Sequence, residues 1–398
     1  MLEERDYWVC WSQLSGIGPI SLQRLCQHFG TLSTAWTASS QELRKVEGFG
    51  RQTATKVTEQ RSQFDCAKFI KTHQEKNPNF WTPVDPDYPR LLLEIPTPPP
   101  VLYYRGKIEP EENQGIKPCV GIVGTRDPSE YGRRWTRKIS TILAKSGFTV
   151  VSGMAAGIDT EAHSSCLDAG GRTLAIFGTG VDIIYPRNNR QLSERVIQQG
   201  LVMSEYPAGT KPNSRHFPSR NRIIAGLSRA IFVMEAGQTS GALITANIAN
   251  EFCRDVYVLP GRLDDEKSQG CLKLIDRGAG LIPINLEELL EQLGAIPPLD
   301  TPQQLSLLES LPTTRDSSAS EPSLQLNSQS NIEPKPNIEL NLEPNLAKVL
   351  QVTPSEPTVF DLIVQEAKLE PGIVSSALLQ LELLGLVSQL PGMRYQRN

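Results

Sequence analysis

The sequence predicts an α/β protein: a Rossmann-like, doubly wound and mostly parallel sheet, with a small helical N-terminal domain and a C-terminal winged-helix domain. Short apolar runs rich in β-branched residues alternate with helical segments in the middle of the chain, which is typical of strands buried on both faces of a parallel sheet. Helix-turn patterns precede this region, and a helix–turn–helix–hairpin pattern follows it. We expect a helical domain at 1–80, the sheet core at 81–296, a flexible linker at 297–345 and the winged helix at 346–398.

Six apolar runs are the predicted strands of the core. After a Pro-rich connector they read CVGIVG (119–124), FTVVSG (148–153), TLAIFG (173–178), LVMSE (201–205), AIFVME (230–235) and VYVLPG (256–261). Helices are predicted from about Tyr131 to Lys145 and from about Thr160 to Asp168. The spacing of apolar residues changes regularly between that of a strand and that of a helix, which predicts repeated strand–helix units.

The N-terminal region contains two similar turns, each followed by a helical segment. The segments are LSGIGPISLQRLCQHFG (14–30) and LRKVEGFGRQTATKV (43–57). Their glycines permit a tight turn with exposed amides, which favours a tandem helix-hairpin-helix whose amides face a DNA phosphate. Plain helical turns and a protein-docking module remain alternatives.

The C-terminal region changes composition twice. Residues 297–345 are rich in Pro, Ser, Asn and Gln and cannot build a core. Periodicity then returns, with a helix predicted near 359–365, a second helix from Pro371 to Gly385, and a hairpin around Pro391. This winged-helix pattern is compatible with binding either duplex DNA or protein.

Bulk composition restricts the class of protein. The net charge of −4 excludes a uniformly basic coat, so a phosphate-binding surface must be a local patch. Seven scattered cysteines without a C-x-x-C pair and four histidines predict neither disulfides nor a metal site. No signal peptide and no apolar run long enough to span a membrane is present, so we expect a cytoplasmic protein without a membrane partner.

The first loop of interest is GIVGTRDPSEYG. Ligands of open parallel sheets lie beyond the carboxyl ends of the strands, where Gly124, Thr125 and Arg126 follow a strand. Arg126 suits bidentate contact with phosphate; the alternative is an ion pair with Asp127. Either Asp127 or Ser129 can cap the helix that follows.

The second loop is SGMAAGIDTEAH, which contains Gly153. We expect Asp159 to cap the next helix, Gly170 to end it, and the amides of the loop to bind an anion. Asp159 and His163 lie one turn apart and invite a catalytic interpretation. Without a nearby nucleophile, a capping acid and a packed or surface histidine are favoured instead.

The third segment runs from Gly209 to Ala246 and is the most informative of the chain. Phe217 is suited to stack on a base, or else belongs to the core. The polar residues expected to meet the nucleic-acid backbone are Arg215, Arg220, Asn221 and Arg222. The alternatives are a solvated surface position for Arg220 and a hydrogen bond to a loop carbonyl for Asn221. The start of the next helix is a site suited to anions, and its residues are Thr239, Ser240 and Gly241.

Cofactor motifs are missing from the sequence. GTGVDIIYPRNN, residues 178–189, lacks the third glycine of a dinucleotide fingerprint, and its Tyr185–Pro186 pair is interpreted as loop architecture. No G-x-x-x-x-G-K-[ST] occurs, so a P-loop ATPase is disfavoured. We expect no cofactor.

Five of these segments together resemble the DprA/Smf family of DNA-processing proteins. They are GIVGTRDPSEYG, SGMAAGIDTEAH, GTGVDIIYPRNN, HFPSRNRIIAGLS and TSGALITANIANE, in that order. The resemblance implies a homodimer, formed through the Rossmann-like core, that protects incoming single-stranded DNA during natural transformation and loads the RecA recombinase on it. It also implies phosphate contact by Arg126 and an aromatic contact by Phe217. Some members carry a lysine where Ser214 stands, and Arg215 is its candidate substitute.

The leading interpretation is therefore a single-stranded-DNA mediator that is not an enzyme. The first alternative is a Rossmann-like nucleotide phosphoribohydrolase of the lysine-decarboxylase-like group, in which Glu251 is a remnant of the catalytic glutamate. The turn EAGQTSGAL lacks the proline and double glycine of that group. The second alternative is a scaffold that binds duplex DNA or protein through the terminal modules, so that deletion beyond Ile296 would abolish its function.

Overall fold

The computed structural model describes residues 2–283, 285–294, 344–354, 358–369, 371–383, 386–390 and 394–397. The chain divides into two units, Met1–Leu311 and Pro312–Asn398. The predicted boundary between a helical domain and a core therefore falls inside the first unit. Residues 297–343 of the predicted linker lie outside the described residues.

A nine-stranded sheet forms the centre of the first unit. The strands are β1 (Phe80–Trp81), β2 (Leu102–Gly106), β3 (Cys119–Val123), β4 (Thr149–Ser152), β5 (Thr173–Ile176), β6 (Leu201–Ser204), β7 (Ala230–Val233), β8 (Asp255–Val258) and β9 (Gly280–Leu281). Their spatial order is β1-β2-β6-β5-β4-β3-β7-β8-β9. The pairs from β6 to β9 are all parallel, while β2 pairs antiparallel with both β1 and β6. The predicted mostly parallel, doubly wound sheet is confirmed.

The sheet has a topological switch point at β3. The chain continues from β3 to β4, β5 and β6 on one side, then returns to β7 on the other side of β3. Gly121 of β3 lies between Val151 of β4 and Ile231 of β7. Because β3, β4 and β7 are neighbours and parallel, the loops that follow them meet at one edge, where ligands of such sheets bind.

Helices cover both faces of the sheet, as a parallel sheet requires. They are α7 (Arg90–Leu93), α8 (Pro110–Asn113), α9 (Glu130–Lys145), α10 (Ile158–Asp168), α11 (Arg190–Gln199, after a short 3₁₀ turn), α12 (His216–Leu227), α13 (Gly241–Glu251), α14 (Gln269–Asp276) and α15 (Glu287–Gly294). Apolar residues of α12, α13 and α14 pack in one core, and those of α9, α10 and α15 pack in another. The strands supply both cores with alternate residues, such as Val123 to the first and Ile122 to the second.

Six short helices form the N-terminal part of this unit: α1 (Glu4–Ser12), α2 (Pro19–Phe29), α3 (Leu32–Thr37), α4 (Ser40–Leu43), α5 (Arg51–Ser62) and α6 (Cys66–Lys76). The two predicted hairpins connect α1 to α2 and α4 to α5. Gly16 and Gly48 turn with φ of +87° and +83°, a conformation that side chains with a Cβ rarely adopt. Gly18 and Gly50 are the N-caps of the helices that follow.

Reciprocal polar contacts join the two hairpins. The first turn contacts α5, because the Ser15 amide donates to Gln60 Oε1 at 2.9 Å. The second turn contacts α2, because Arg24 donates to Glu47 Oε1 at 2.9 Å. Val9 and Cys66 then pack with Phe80 and Tyr103 of the sheet. The hairpins therefore form one module that is attached to the edge of the sheet.

The second unit contains α16 (Pro344–Val352), α17 (Phe360–Ala367), α18 (Pro371–Leu383) and the strands β10 (Thr358–Val359), β11 (Val387–Leu390) and β12 (Arg394–Arg397). The strand order is β10-β12-β11, with both pairs antiparallel. This arrangement confirms the predicted winged helix, and it adds a helix and a strand that the sequence did not predict. Within the described ranges, no helix has both the length and the apolarity needed to cross a bilayer.

Candidate nucleic-acid groove

The loop between β3 and α9 holds Arg126 in a fixed place. The Thr125 amide donates to the Glu235 carbonyl at 2.7 Å, and the Thr125 carbonyl accepts from the Ile158 amide at 3.1 Å. A Cβ on Gly124 would lie 2.5 Å from Ile158 Cγ1, so only glycine fits this close approach. The backbone on the N-terminal side of Arg126 is therefore anchored to two neighbouring segments.

The start of α9 secures the other side of the loop. Ser129 is the N-cap, as one of the two predicted alternatives required, and its Oγ accepts from the Gly132 amide at 3.1 Å. The buried Glu235 carboxylate accepts from the Ser129 amide at 3.0 Å and from its Oγ at 2.5 Å. Asp127 pairs with Lys267 at 2.9 Å rather than with Arg126. Among the described residues, no carboxylate forms an ion pair with Arg126.

The prediction that Asp159 caps α10 is wrong. The helix begins at Ile158 with Gly157 as N-cap at φ +82°, and Asp159 points back into the loop. Its Oδ2 accepts from the amides of Gly153 and Ala155, each at 3.1 Å. These two amides are satisfied by the protein's own carboxylate, so neither Gly153 nor Ala155 offers its amide to a phosphate. Gly170 follows the helix at φ +75°, as expected.

Arg220 lies in the floor of the site with 5% of its surface exposed. Its Nη1 donates to the Gly153 carbonyl at 2.6 Å and to the Ile176 carbonyl, and its Nε donates to Asn221 Oδ1 at 3.3 Å. Burial lowers the pKa of Arg220 to about 10, Asp159 counters this shift, and Arg126 adds to it. The guanidinium therefore stays charged at neutral pH and joins the ends of β4 and β5.

Two predicted phosphate ligands lie elsewhere. Arg222 pairs with both carboxylate oxygens of Glu205 at 2.9 and 2.7 Å and donates to the Thr97 carbonyl. Arg220 and Arg222 are about 200° apart around α12, so they cannot face one groove. Arg215 is exposed at the N-cap of α12 and does not line the groove.

Phe217 forms an aromatic surface at the start of α12. Its ring lies 5.5 Å from the ring of Tyr185, and the Arg126 guanidinium lies 5.8 Å from its centroid. A Cβ on Gly178 would lie 2.8 Å from Phe217 Cδ1, so that glycine lets the loop after β5 approach the ring. Phe217 is half-buried rather than part of the core.

The start of α13 is the third wall of the groove. Ser240 is the N-cap, and its Oγ accepts from the Ala242 amide at 3.3 Å. Thr239 and Gly241 are exposed, and a Cβ on Gly241 would meet no atom within 4 Å. Open backbone amides and the positive end of the helix dipole therefore face the groove, as predicted.

These three segments line one open groove of about 680 Å³. Its lining includes most of the predicted site, namely Gly124, Thr125, Arg126, Phe217, Arg220, Asn221, Thr239, Ser240 and Gly241. Gly153 supports the floor, whereas Arg215 and Arg222 do not contribute to the lining. Tyr185, 44% exposed, is a lining residue that the sequence interpretation assigned to loop architecture. Its position after a strand that ends at the same edge was the available signal.

The catalytic interpretations find no support in the geometry. His163 is completely buried, and its Nδ1 lies 2.7 Å from Thr173 Oγ1, which itself donates to the Val150 carbonyl. Burial, assisted by Arg220, lowers the pKa of His163 to about 3. Glu251 is exposed at the last residue of α13, at the end of the helix opposite the groove. Both residues therefore have the structural environments that the sequence favoured.

Comparison with known proteins gives matches along nearly the whole chain. The family model for DNA recombination-mediator protein A matches residues 79–294, and the model for the DprA winged helix domain matches residues 333–393. Protein Smf of Synechocystis is 54% identical over 402 aligned residues, which cover 99% of both chains.

Solved structures show the same relationship. The crystal structure of DNA processing protein A from Streptococcus pneumoniae is 34% identical, with a TM-score of 0.64, and the match covers 72% of this chain and 97% of that one. The protein of the same name from Helicobacter pylori, solved to describe its single-stranded DNA binding mode, is 30% identical with a TM-score of 0.48 over 54% of this chain and 95% of that one.

Proposed function

Because the chain belongs to the DprA/Smf family of DNA recombination-mediator proteins, we propose that its central groove binds single-stranded DNA without cutting it. The observation that carries this proposal is the meeting of Arg126, Phe217 and the start of α13 in one open groove. A fixed cation, an aromatic surface and unpaired amides are the groups that hold a sugar–phosphate backbone and its bases.

The aromatic surface favours single strands over duplex. Phe217 and Tyr185 lie within the groove beside Arg126, so a base reaches their rings only when it is unstacked from its neighbours. Stacking accepts every base because each has a π-face. Phosphate contacts at Arg126 and α13 then position the strand without reading its sequence. We therefore expect binding that tolerates any base sequence.

The hydrogen bonds of Asp159 and His163 support a binding role and not a catalytic one. The Asp159 carboxylate accepts hydrogen bonds from loop amides, and His163 is hydrogen-bonded to Thr173. Neither residue is therefore placed to activate water or a hydroxyl. Incubation with nucleoside monophosphates separates this proposal from the phosphoribohydrolase alternative. Release of free base would support the enzyme and contradict the mediator.

We extend the proposal to the roles that the family resemblance implies. The protein would act in the cytoplasm as a homodimer through its Rossmann-like core, protect incoming strands during natural transformation and load RecA on them. The description of the matched family as a recombination mediator supports the RecA step. RecA filament formation on single strands coated with single-strand-binding protein tests it. A rate that this protein does not change would contradict the loading role.

Substitution of Arg126 tests the DNA site directly. Arg126→Ala should weaken binding of an oligothymidylate and lower the slope of log affinity against log salt by about 0.7, the value for one phosphate contact on a single strand. Fluorescence anisotropy over a salt series measures both quantities.

The matched control is Arg134→Ala, which removes an exposed arginine of α9 that does not line the groove. It has the same net charge as Arg126→Ala and should keep the wild-type slope. Equal slopes for wild type and Arg126→Ala would remove Arg126 from the site.

A further inference from the structure

A second groove, of about 310 Å³, continues from the first. Thr239, Ser240 and Ile244 line both grooves, so the start of α13 is their common wall. The opposite wall of the second groove is α14, which the sequence analysis did not connect with the site. The two grooves together form one path that passes the start of α13.

Two cations of α14 line the second groove. Lys273 lies in the last turn of the helix and Arg277 is its C-cap. They are four residues apart, so they lie on the same face of the helix. Both are exposed. Over the described ranges, neither side chain forms a hydrogen bond or an ion pair with another residue.

This lack of partners, which Arg126 shares, distinguishes the pair from Arg222 and Lys267. Arg222 is bound by Glu205, and Lys267 by Asp127. The dipole of α14 favours positive charge at its C-terminus, but like charges four residues apart repel each other. The dipole does not explain why both face a groove that continues the proposed DNA site. A bound polyanion would relieve the repulsion.

The remaining lining of the second groove suits a nucleic-acid backbone as well. Gln238 and Asn247 supply exposed amide groups, while Leu243 and Ile244 supply apolar surface. Amide side chains donate to phosphate oxygens and sugars, and apolar surface accepts the face of a base or a sugar. An extended strand is a ligand that fills both grooves as one molecule.

We propose that single-stranded DNA bound in the first groove passes the start of α13 and enters the second groove, where Lys273 and Arg277 bind further phosphates. This inference rests on the proposed function and deepens it, because it gives the strand a path and a minimum length. A strand too short to span both grooves gains nothing from the two cations.

The test compares short and long strands with the full chain. The double variant Lys273→Gln/Arg277→Gln should bind an oligothymidylate of about 4 nucleotides as the wild type does. On an oligothymidylate of about 16 nucleotides, its salt slope should fall by about 1.4, which is two contacts at about 0.7 each on a single strand. Fluorescence anisotropy over a salt series measures both.

Arg134→Gln/Lys145→Gln is the control, because it removes two exposed cations that line neither groove. It has the same net charge as the test variant and should match the wild type on both lengths. Wild-type slopes for the test variant on the long strand would overturn the inference. An equal fall of the salt slope on both strand lengths would also overturn it. The two cations would then act through the electrostatic field of the whole protein and not through direct contacts. Failure of the wild type to bind any strand would instead contradict the proposed function.

Discussion

At the scale of single residues, the site depends on how each charged group is partnered. Arg126 is exposed and lies over Phe217, whereas Arg220 is buried against two carbonyls and Arg222 is bound by Glu205. Three arginines of similar appearance in the sequence therefore have three different roles. Arg126 contacts the ligand in our proposal, Arg220 positions the floor, and Arg222 holds α12 to the loop after β6.

Phe217 provides the residue-scale prediction. Phe217→Ala should weaken single-stranded DNA binding by about 1–3 kcal/mol, the usual effect of removing one stacking contact. The salt slope should stay at the wild-type value, because no phosphate contact is lost. Isothermal titration at two salt concentrations separates the two effects.

Phe217→Trp is the matched variant, since it retains an aromatic face beside Tyr185 and Arg126. It should keep most of the affinity. Equal affinity of the alanine variant and the wild type would show that the ring does not contact DNA. A changed salt slope for the alanine variant would mean that its effect passes through Arg126.

At the scale of elements, the position of the loop between β3 and α9 depends on a residue that follows another strand. Glu235 follows β7, is 3% exposed, and binds the loop through its carbonyl and its carboxylate. It does not line the groove. A Cβ on Gly132 would lie 2.3 Å from Glu235 Oε2, so the first turn of α9 is shaped around this carboxylate.

Glu235 carries the element-scale prediction. Glu235→Ala should lower the free energy of unfolding by about 2–3 kcal/mol, since hydrogen bonds to a charged group are lost and the Ser129 amide loses its acceptor. It should also weaken DNA binding, because the loop no longer holds Arg126 in place. Urea unfolding and anisotropy measure the two effects.

Two further variants make this test specific. Gly132→Ala should have both effects as well, because its Cβ displaces the same carboxylate. Glu251→Ala removes an exposed acid at the end of α13 and should have neither. Wild-type DNA affinity in Glu235→Ala, despite lost stability, would show that the position of Arg126 does not depend on this anchor.

At the scale of the whole molecule, the topology of the sheet creates the site. The loops that line the first groove follow β3, β4, β5, β6 and β7, and they meet because these parallel strands end at one edge. The net charge of −4 leaves the rest of the surface without a general attraction for DNA. In our proposal, a local cationic path on an acidic protein therefore restricts DNA to the grooves.

The buried His163 predicts how the stability of the first unit depends on pH. An unfolded histidine gains a proton below about pH 6.5, whereas burial holds the pKa of His163 at about 3 in the folded protein. The unfolded state therefore binds more protons between these values. The stability that His163 contributes is complete above pH 6.5 and falls as the pH falls toward 3.

His163→Leu should remove this part of the pH dependence. The loss of unfolding free energy between pH 7 and pH 5 should be about 2 kcal/mol smaller in the variant than in the wild type. Urea unfolding followed by tryptophan fluorescence is suitable, because all five tryptophans belong to the unit that contains His163. His28→Gln, which removes an exposed imidazole, is the control. Equal losses in wild type and His163→Leu would contradict the assignment.

The sequence by itself determined the six strands from β3 to β8, the edge at which the loops meet, and most of the groove, but it did not predict β1, β2 and β9. The spacing of apolar residues that marks a strand or a helix is a local property of the chain. In a parallel sheet, every loop from a strand to the next helix lies at the same edge. The spacing of Phe217, Arg220 and Asn221 at i, i+3 and i+4 likewise places them on one face of α12. These features need no knowledge of distant contacts.

The tertiary structure alone decided which polar groups are free. The amide of Gly153 donates a hydrogen bond to Asp159. Arg222 forms an ion pair with Glu205, and Asp127 forms one with Lys267, which is 140 positions away. Packing likewise brings Tyr185 to the first groove and α14 to the second groove from other parts of the chain. Periodicity assigns a residue to a face, but only the folded chain shows which partner that face meets.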